Sequence, residues 1–277
     1  MADAFPRDSI IRRINDEPAI MLGAGRALLL QLAHPHVAAG VDEHSEFQRN
    51  PFKRLQGTLE AVYTMVYGPA ELADGVGRRV QWIHTFVTSP AYRANDPANL
   101  LWVHATLLDT ALGCYERLVR PLGDDERDAY YEDMTVVAER FGCPRAAQPA
   151  GYREFRDYFD EQVGTIEVTD VGRRLARDVI EPDLPLKLHV PLVPLLRTQR
   201  LVTIGTLPEP IREQFGFEWT DVHQRRLDRV HALARAYNRV VPRAARIAPG
   251  HAHGRLLLAQ ARRHVARFEA TQERAAA

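Results

Sequence analysis

Residues 96–121 read DPANLLWVHATLLDTALGCYERLVRP, and the punctuation at either end decides what lies between. Asp96 followed by Pro97 is an N-cap and a first-turn proline, and Pro121 cannot continue a helix that runs to about Arg120. Within it Leu101, His104 and Leu108 recur at spacings of three and four, which is one face of a helix. The same period governs the neighbours. Outward from this stretch we expect helices at 8–17 (stopped by Pro18), 19–33, 51–67 (capped by Asn50), 71–88 and 124–141. Further helices are expected at 152–163, 171–180, 192–204, 209–215, 221–241 and 254–270. No run alternates as a strand would and no segment repeats, so the expected class is all-α, a single multi-helix domain over 1–277. Pro182, Pro185, Pro191 and Pro194 suggest that 181–194 is an extended connector crossing its surface.

The chain has 277 residues, with Lys+Arg 36 against Asp+Glu 36, 17 glycines, 18 prolines and two cysteines. That excludes collagen-like, low-complexity and disulfide-scaffold classes, and with 45% apolar residues it also excludes disorder. The zero balance conceals an asymmetry. Residues 222–277 hold twelve Arg against Asp228, Glu269 and Glu273, a net of +9, and the first 221 residues carry −9. The beginning, MADAFPRDSIIRR, lacks the apolar core of a signal peptide, and 19–33 is too short and too polar to span a bilayer. With so few cysteines, a reducing, cytoplasmic location and no integral membrane segment are the expectations.

Most catalytic motifs fail. Gly23-Ala24-Gly25-Arg26 has Leu28 where a dinucleotide loop needs a third glycine, and no strand precedes it. There is no P-loop, HExxH, CxxC or GxSxG, and no histidine has Glu three residues before it, which removes the paired ligands of di-iron bundles. Of eleven histidines, His251 and His253 fall in a Pro-Gly turn, His189 in the proline connector, and His223, His231 and His264 in Arg-rich helices expected to face solvent. His84 and His104 differ. His84 lies among Val76, Val80, Ile83 and Val87, and His104 between Leu101 and Leu108, so both rings should point inward. A lone inward histidine is most often a hydrogen-bonded core residue. Arg54 and Thr58 share a helix face beside Leu55, Leu59, Val62 and Val66. A buried Arg54 needs an anion, either Asp42, Glu43 or Glu46, or an acidic group on a cofactor.

Four strings in order carry a resemblance: GAGRALLLQLAHPHVAAGVDEHSEF (23–47), NPFKRLQGTLEAVYTMVYG (50–68), WIHTFV (82–87) and YRANDPANLLWVHATLLDTALGCYERLVRPL (92–122). Together they resemble the rubber oxygenase/mpaB catalytic-domain family, which includes latex clearing protein and the oxygenase of mycophenolic acid biosynthesis. The motif core spans 20–145, with weaker echoes in RLVTIGTLPEPIREQFGFEW (200–219), and the basic helical part 221–277 lies mostly outside it.

The resemblance implies an all-helical domain with haem b in a slot between core helices and one histidine on the iron. The family's histidine in the helix after Arg-x-x-x-Thr corresponds to His84, and Arg54 and Thr58 match its distal residues. His104 in WVHATL is the rival ligand, and His34 and His36 are either distal groups or charges at a helix end. The rubber enzymes place Lys immediately before the threonine. Here Gly57 stands there, which argues against polyisoprene as substrate; Glu43 and Glu46 are the candidate acids.

The implied activity is a haem-dependent oxygenase that uses O2 and an electron donor of unknown identity on a hydrophobic small molecule. The alternative is a non-catalytic haem- or lipid-binding protein. The Arg225–Arg246 series raises nucleic acid or an anionic membrane as a third partner class. No base-stacking aromatics interleave with it, and packing against the acidic body is the simpler role, so no nucleic-acid partner is expected.

Overall fold

A computed structural model describes residues 2–44, 51–90, 92–182 and 186–276, with the side chains of 51–55, 186–192 and 276 outside the description. The class is the expected one, an all-α single domain with one two-stranded ribbon. In order come α1 (Ile10–Asn15), a 3-10 turn (Pro18–Gly23), α2 (Ala24–Ala33), α3 (Pro35–His44), α4 (Pro51–Tyr67) and α5 (Ala70–His84). The ribbon β1 (Thr88–Ser89) and β2 (Tyr92–Arg93) follows, antiparallel with Ser89 opposite Tyr92. Then come α6 (Pro97–Leu118), α7 (Asp124–Arg140), α8 (Tyr152–Thr165), α9 (Asp170–Ile180), α10 (Leu186–Gly205), α11 (Glu209–Gln214), α12 (Asp221–Val240) and α13 (Arg243–Ala276).

α6 is the central helix because it is apolar on nearly every side. Trp102, Leu108 and Leu118 are fully buried, and α1, α2, α7, α12 and the 3-10 turn pack around it. Trp102 donates its indole N–H to the Leu30 carbonyl at 3.0 Å, fixing α6 against α2. Its ring stacks on Phe159 of α8 at 5.7 Å. α7 ends where Gly142 takes φ +96, a left-handed conformation closed to most side chains; its N–H bonds the Glu139 carbonyl and that of Cys143 the Ala138 carbonyl.

Several boundaries differ from expectation for local reasons. Residues 18–23 wind as a 3-10 turn, so α2 starts at Ala24. Pro35 forces His34 into an extended conformation (ψ 126) and then opens α3, a helix the sequence reading left out. α5 ends at His84, four residues early, and the ribbon begins at Thr88. The 181–194 connector is corrected: α10 begins at Leu186 and runs through Pro191 and Pro194. Each proline removes one backbone bond, and packing on α2, α12 and the 3-10 turn holds the helix. α13 likewise begins at Arg243 and continues through Pro249, so His251 and His253 sit on a helix instead of in a turn. Asn50 as a cap and Pro185 lie outside the described residues.

The C-terminal helices close over the N-terminal half. α13 packs along α4 and α5, where Gly254 admits the Tyr63 ring and Gly75 admits Val265. Arg246 grips the buried Glu17 through two bonds of 2.7 and 3.1 Å, and Arg243 reaches Asp16 at 2.6 Å. On α12, Arg235 and Asn238 donate to the carbonyls of Arg117 and Leu118, which ties it to the end of α6.

Candidate functional site

The histidines singled out in the sequence lie at three places. His34 occupies the break between α2 and α3, its ring 5.4 Å from His36 and 6.4 Å from Trp102. Burial, reinforced by the neighbouring His36, lowers its pKa to about 4, and its Nδ1 is buried with no hydrogen-bond partner among the described residues. His104 is 8% exposed on α6. Burial lowers its pKa to about 4 against an opposing hydrogen bond to the Met134 backbone, and its Nε2 is buried with no hydrogen-bond partner among the described residues. At pH 7 both rings are neutral, so each carries a nitrogen lone pair suited to a metal.

His84 is the last residue of α5, half-buried, with Nδ1 shut off from solvent. The expectation that its stripe points inward holds only in part. Val76 is buried and Val80 and Val87 are half-buried, whereas Ile83 is 37% exposed. Trp82, 40% exposed, stacks edge-on against Phe86 at 4.9 Å and leans on Phe268 of α13 at 5.6 Å, so an aromatic lip surrounds the end of α5. The ribbon that follows His84 packs on α3: a Cβ on Gly40 would lie 3.1 Å from the Tyr92 ring and 3.6 Å from Val87. The Tyr92 hydroxyl donates to Glu43 at 3.2 Å, and burial with that carboxylate pushes its pKa up to about 12.

Thr58 is exposed on α4, one turn after Arg54. The side chain of Arg54 and all of Glu46 lie outside the described residues, as does the side chain of His189. Of the carboxylates named as partners for Arg54, Asp42 pairs with Arg174 of α9 at 2.7 Å and Glu43 accepts from Tyr92.

His264 and His231 are partly turned to solvent, as expected, but each also faces inward: His264, its side chain 41% exposed, bonds the buried Glu60 of α4 through Nδ1 at 2.8 Å, and the half-buried His231 has its pKa lowered by burial and by Arg117. His251 meets Asp16 at 3.1 Å, whereas His223 stays at the start of α12 beside Thr220.

Sequence reasoning also missed a buried charge network. Arg26 of α2, 4% exposed, donates to Asp109 and Thr110 of α6 and to the Thr206 carbonyl, each at 2.7 Å. Asp109 also accepts from Arg156 of α8. A cavity of about 630 Å³ opens beside it, with Arg117, Tyr152, Gln224 and His231 on its walls. The available signal was Arg26 itself, since an arginine in an otherwise apolar helix needs a buried anion.

Among the described residues no group of three His, Cys, Asp or Glu is gathered as a metal cage. A haem needs no such cage: one neutral imidazole and apolar walls suffice. The buried Nδ1 of His34 and Nε2 of His104, without hydrogen-bond partners among the described residues, are donors of the kind one haem iron would need. No helix among the described residues is long and apolar enough to cross a membrane.

Uncharacterised proteins of Mycobacterium bovis and Mycobacterium tuberculosis are each 27% identical to the chain over 241 residues, covering 81% of it and 91% of their own length. No solved structure matches the chain. A family model described as the ER-bound oxygenase mpaB/B'/rubber oxygenase catalytic domain matches residues 11–236, from α1 through most of α12. The chain belongs to this family of oxygenase catalytic domains.

Proposed function

We propose that the chain is a haem b-dependent oxygenase acting on a hydrophobic small molecule, with His84 as the axial ligand. Family membership across 11–236 carries the oxygenase assignment. Support for the ligand comes from the half-buried imidazole at the end of α5, with its inward Nδ1 and its lip of Trp82 and Phe86. When bound, haem would supply an iron centre able to activate O2 for attack on an apolar substrate.

The chain's own residues would do the rest. His84 would hold the iron through an imidazole nitrogen. Arg54 and Thr58, one turn apart on α4, would supply hydrogen bonds to the reacting oxygen or to a propionate. Trp82 and Phe86 would give an apolar substrate a surface to slide across while excluding water from the polar groups behind them. Tyr92 would hold the Glu43 carboxylate near the ribbon through its hydrogen bond. One observation favours a second reading of the ligand: the Nε2 of His104, buried without a hydrogen-bond partner among the described residues, is available to a metal.

Absorption spectroscopy of the purified protein, loaded with hemin, tests this. We expect a Soret band that collapses in His84→Ala and persists in His104→Ala. The reverse pattern moves the ligand to α6, and no band with any variant rejects the haem. An electron donor of unknown identity is expected to reduce the iron. A reduced protein that forms no carbon monoxide adduct would favour the non-catalytic haem-binding alternative.

A further inference from the structure

α12 is built inside out. Its inward side, which includes Gln224, Leu227 and His231, faces the polar cavity, and Leu227 is its one fully buried side chain among the described residues. Its outward side carries Leu233 (70% exposed), Tyr237 (56%) and Val240 (81%), with Ala236 also exposed. These positions fall at i, i+4 and i+7, a single narrow face. One turn toward the N-terminus the same face becomes Arg226 and Arg229, with Arg225 beside them, and one turn further it starts with Val222 (46% exposed); Arg239 flanks Val240 at the apolar end. Arg243 and Arg246 are held by Asp16 and Glu17, but among the described residues no carboxylate pairs with Arg225, Arg226, Arg229 or Arg239. The expectation that the basic segment serves the acidic body therefore accounts for only part of it.

We propose that this face docks on an anionic lipid surface. Apolar groups concentrated in its last two turns and guanidiniums concentrated in the turns before them match the acyl boundary and the phosphate layer, and Tyr237, with an apolar ring and a polar hydroxyl, suits the level between them. A second copy of the chain is a poorer match. A two-fold contact through this face would bring two sets of arginines together with only Asp221 and Asp228 on each α12 to offset them. The proposal is independent of the haem, because it concerns the outer side of α12 alone.

The test is flotation of the full chain with vesicles of phosphatidylglycerol and phosphatidylcholine in equal parts, beside vesicles of phosphatidylcholine only. We expect binding to the anionic vesicles that weakens as salt rises. At roughly fivefold per arginine near the surface, Arg226→Gln with Arg229→Gln should weaken it more than tenfold. Leu233→Glu with Val240→Glu should abolish it, while Val136→Glu on α7 should leave it intact; all these side chains are exposed, and circular dichroism is to check that each variant keeps its fold. Equal binding to both vesicle types, no binding at low salt, or a dimer in solution that Leu233→Glu dissociates would each overturn the proposal. So would an acidic protein competing for α12 while anionic vesicles are ignored.

Discussion

Replacing Asp109 by alanine tests the junction that holds α2 against α6. Arg26 has a side chain 5% exposed and three acceptors at 2.7 Å: the Asp109 carboxylate, the Thr110 hydroxyl and the Thr206 carbonyl. Asp109→Ala removes the anion and leaves two neutral acceptors around a guanidinium that cannot lose its proton. Breaking a buried pair from one side costs about 3–5 kcal/mol, because the remaining charge stays desolvated. Arg156 softens the effect little, since it is about a third exposed and keeps Asp160 at 2.7 Å. With a urea dependence of roughly 3 kcal/mol per molar, the unfolding midpoint should fall by about 1 M at unchanged slope. Asp160→Ala, at an exposed pair, should cost under about 1 kcal/mol. Arg26→Met combined with Asp109→Leu should recover most of the loss, because apolar side chains of similar volume need no counter-charge. A midpoint for Asp109→Ala within about 0.3 M of wild type, or a double variant as weak as the two single losses added together, would refute the account.

Other expectations follow from single contacts. Gly254→Ala would place a methyl about 2 Å from the Tyr63 ring, which is itself stacked on Tyr67 at 4.3 Å. We expect a net loss of about 1–3 kcal/mol in denaturant titration, relieved when Tyr63 is also made alanine. His264→Ala strips the Glu60 carboxylate, 4% exposed, of its imidazole; the expected cost is about 1–3 kcal/mol, partly restored by Glu60→Gln. His34 is neutral when folded, with a pKa near 4 against 6.5 when unfolded. Its contribution is therefore fully present above pH 6.5 and is lost as pH falls from 6.5 toward 4. Urea midpoints of the apoprotein across that window should fall more steeply for wild type than for His34→Gln.

Periodicity made the helices legible where a helix is apolar on one side or all round, as in α4, α6 and α7, because burial and local pattern agree there. It failed where proline had two meanings. Pro35 ends α2 and also opens α3, and Pro191 and Pro194 sit inside a helix that tertiary packing sustains. In the candidate site, the stripes around His84 and His104 marked partly or wholly buried imidazoles. Their true depths, 8% exposure for His104 and only half-burial for His84, depend on what packs across from them. The Arg26–Asp109 and Glu60–His264 pairs were invisible because their partners lie 83 and 204 residues apart. A lone charge in an apolar helix announces that a partner exists without saying where it is.

Distant partners also shape the candidate site itself. The matched region ends at residue 236, within α12, yet α13 begins at Arg243 and packs along α4 and α5, the helices that carry Thr58 and His84. Val265 fills the space left by Gly75, Gly254 receives Tyr63, and Phe268 backs the Trp82 ring two residues before His84. One wall of the candidate site is thus supplied by a helix outside the shared domain. Through Gly75 and Trp82, the packing of α5 against that wall is expected to bear on how its last turn is held. A substitution at Phe268 is therefore expected to disturb the end of α5, and with it the proposed His84 site, from outside the matched region.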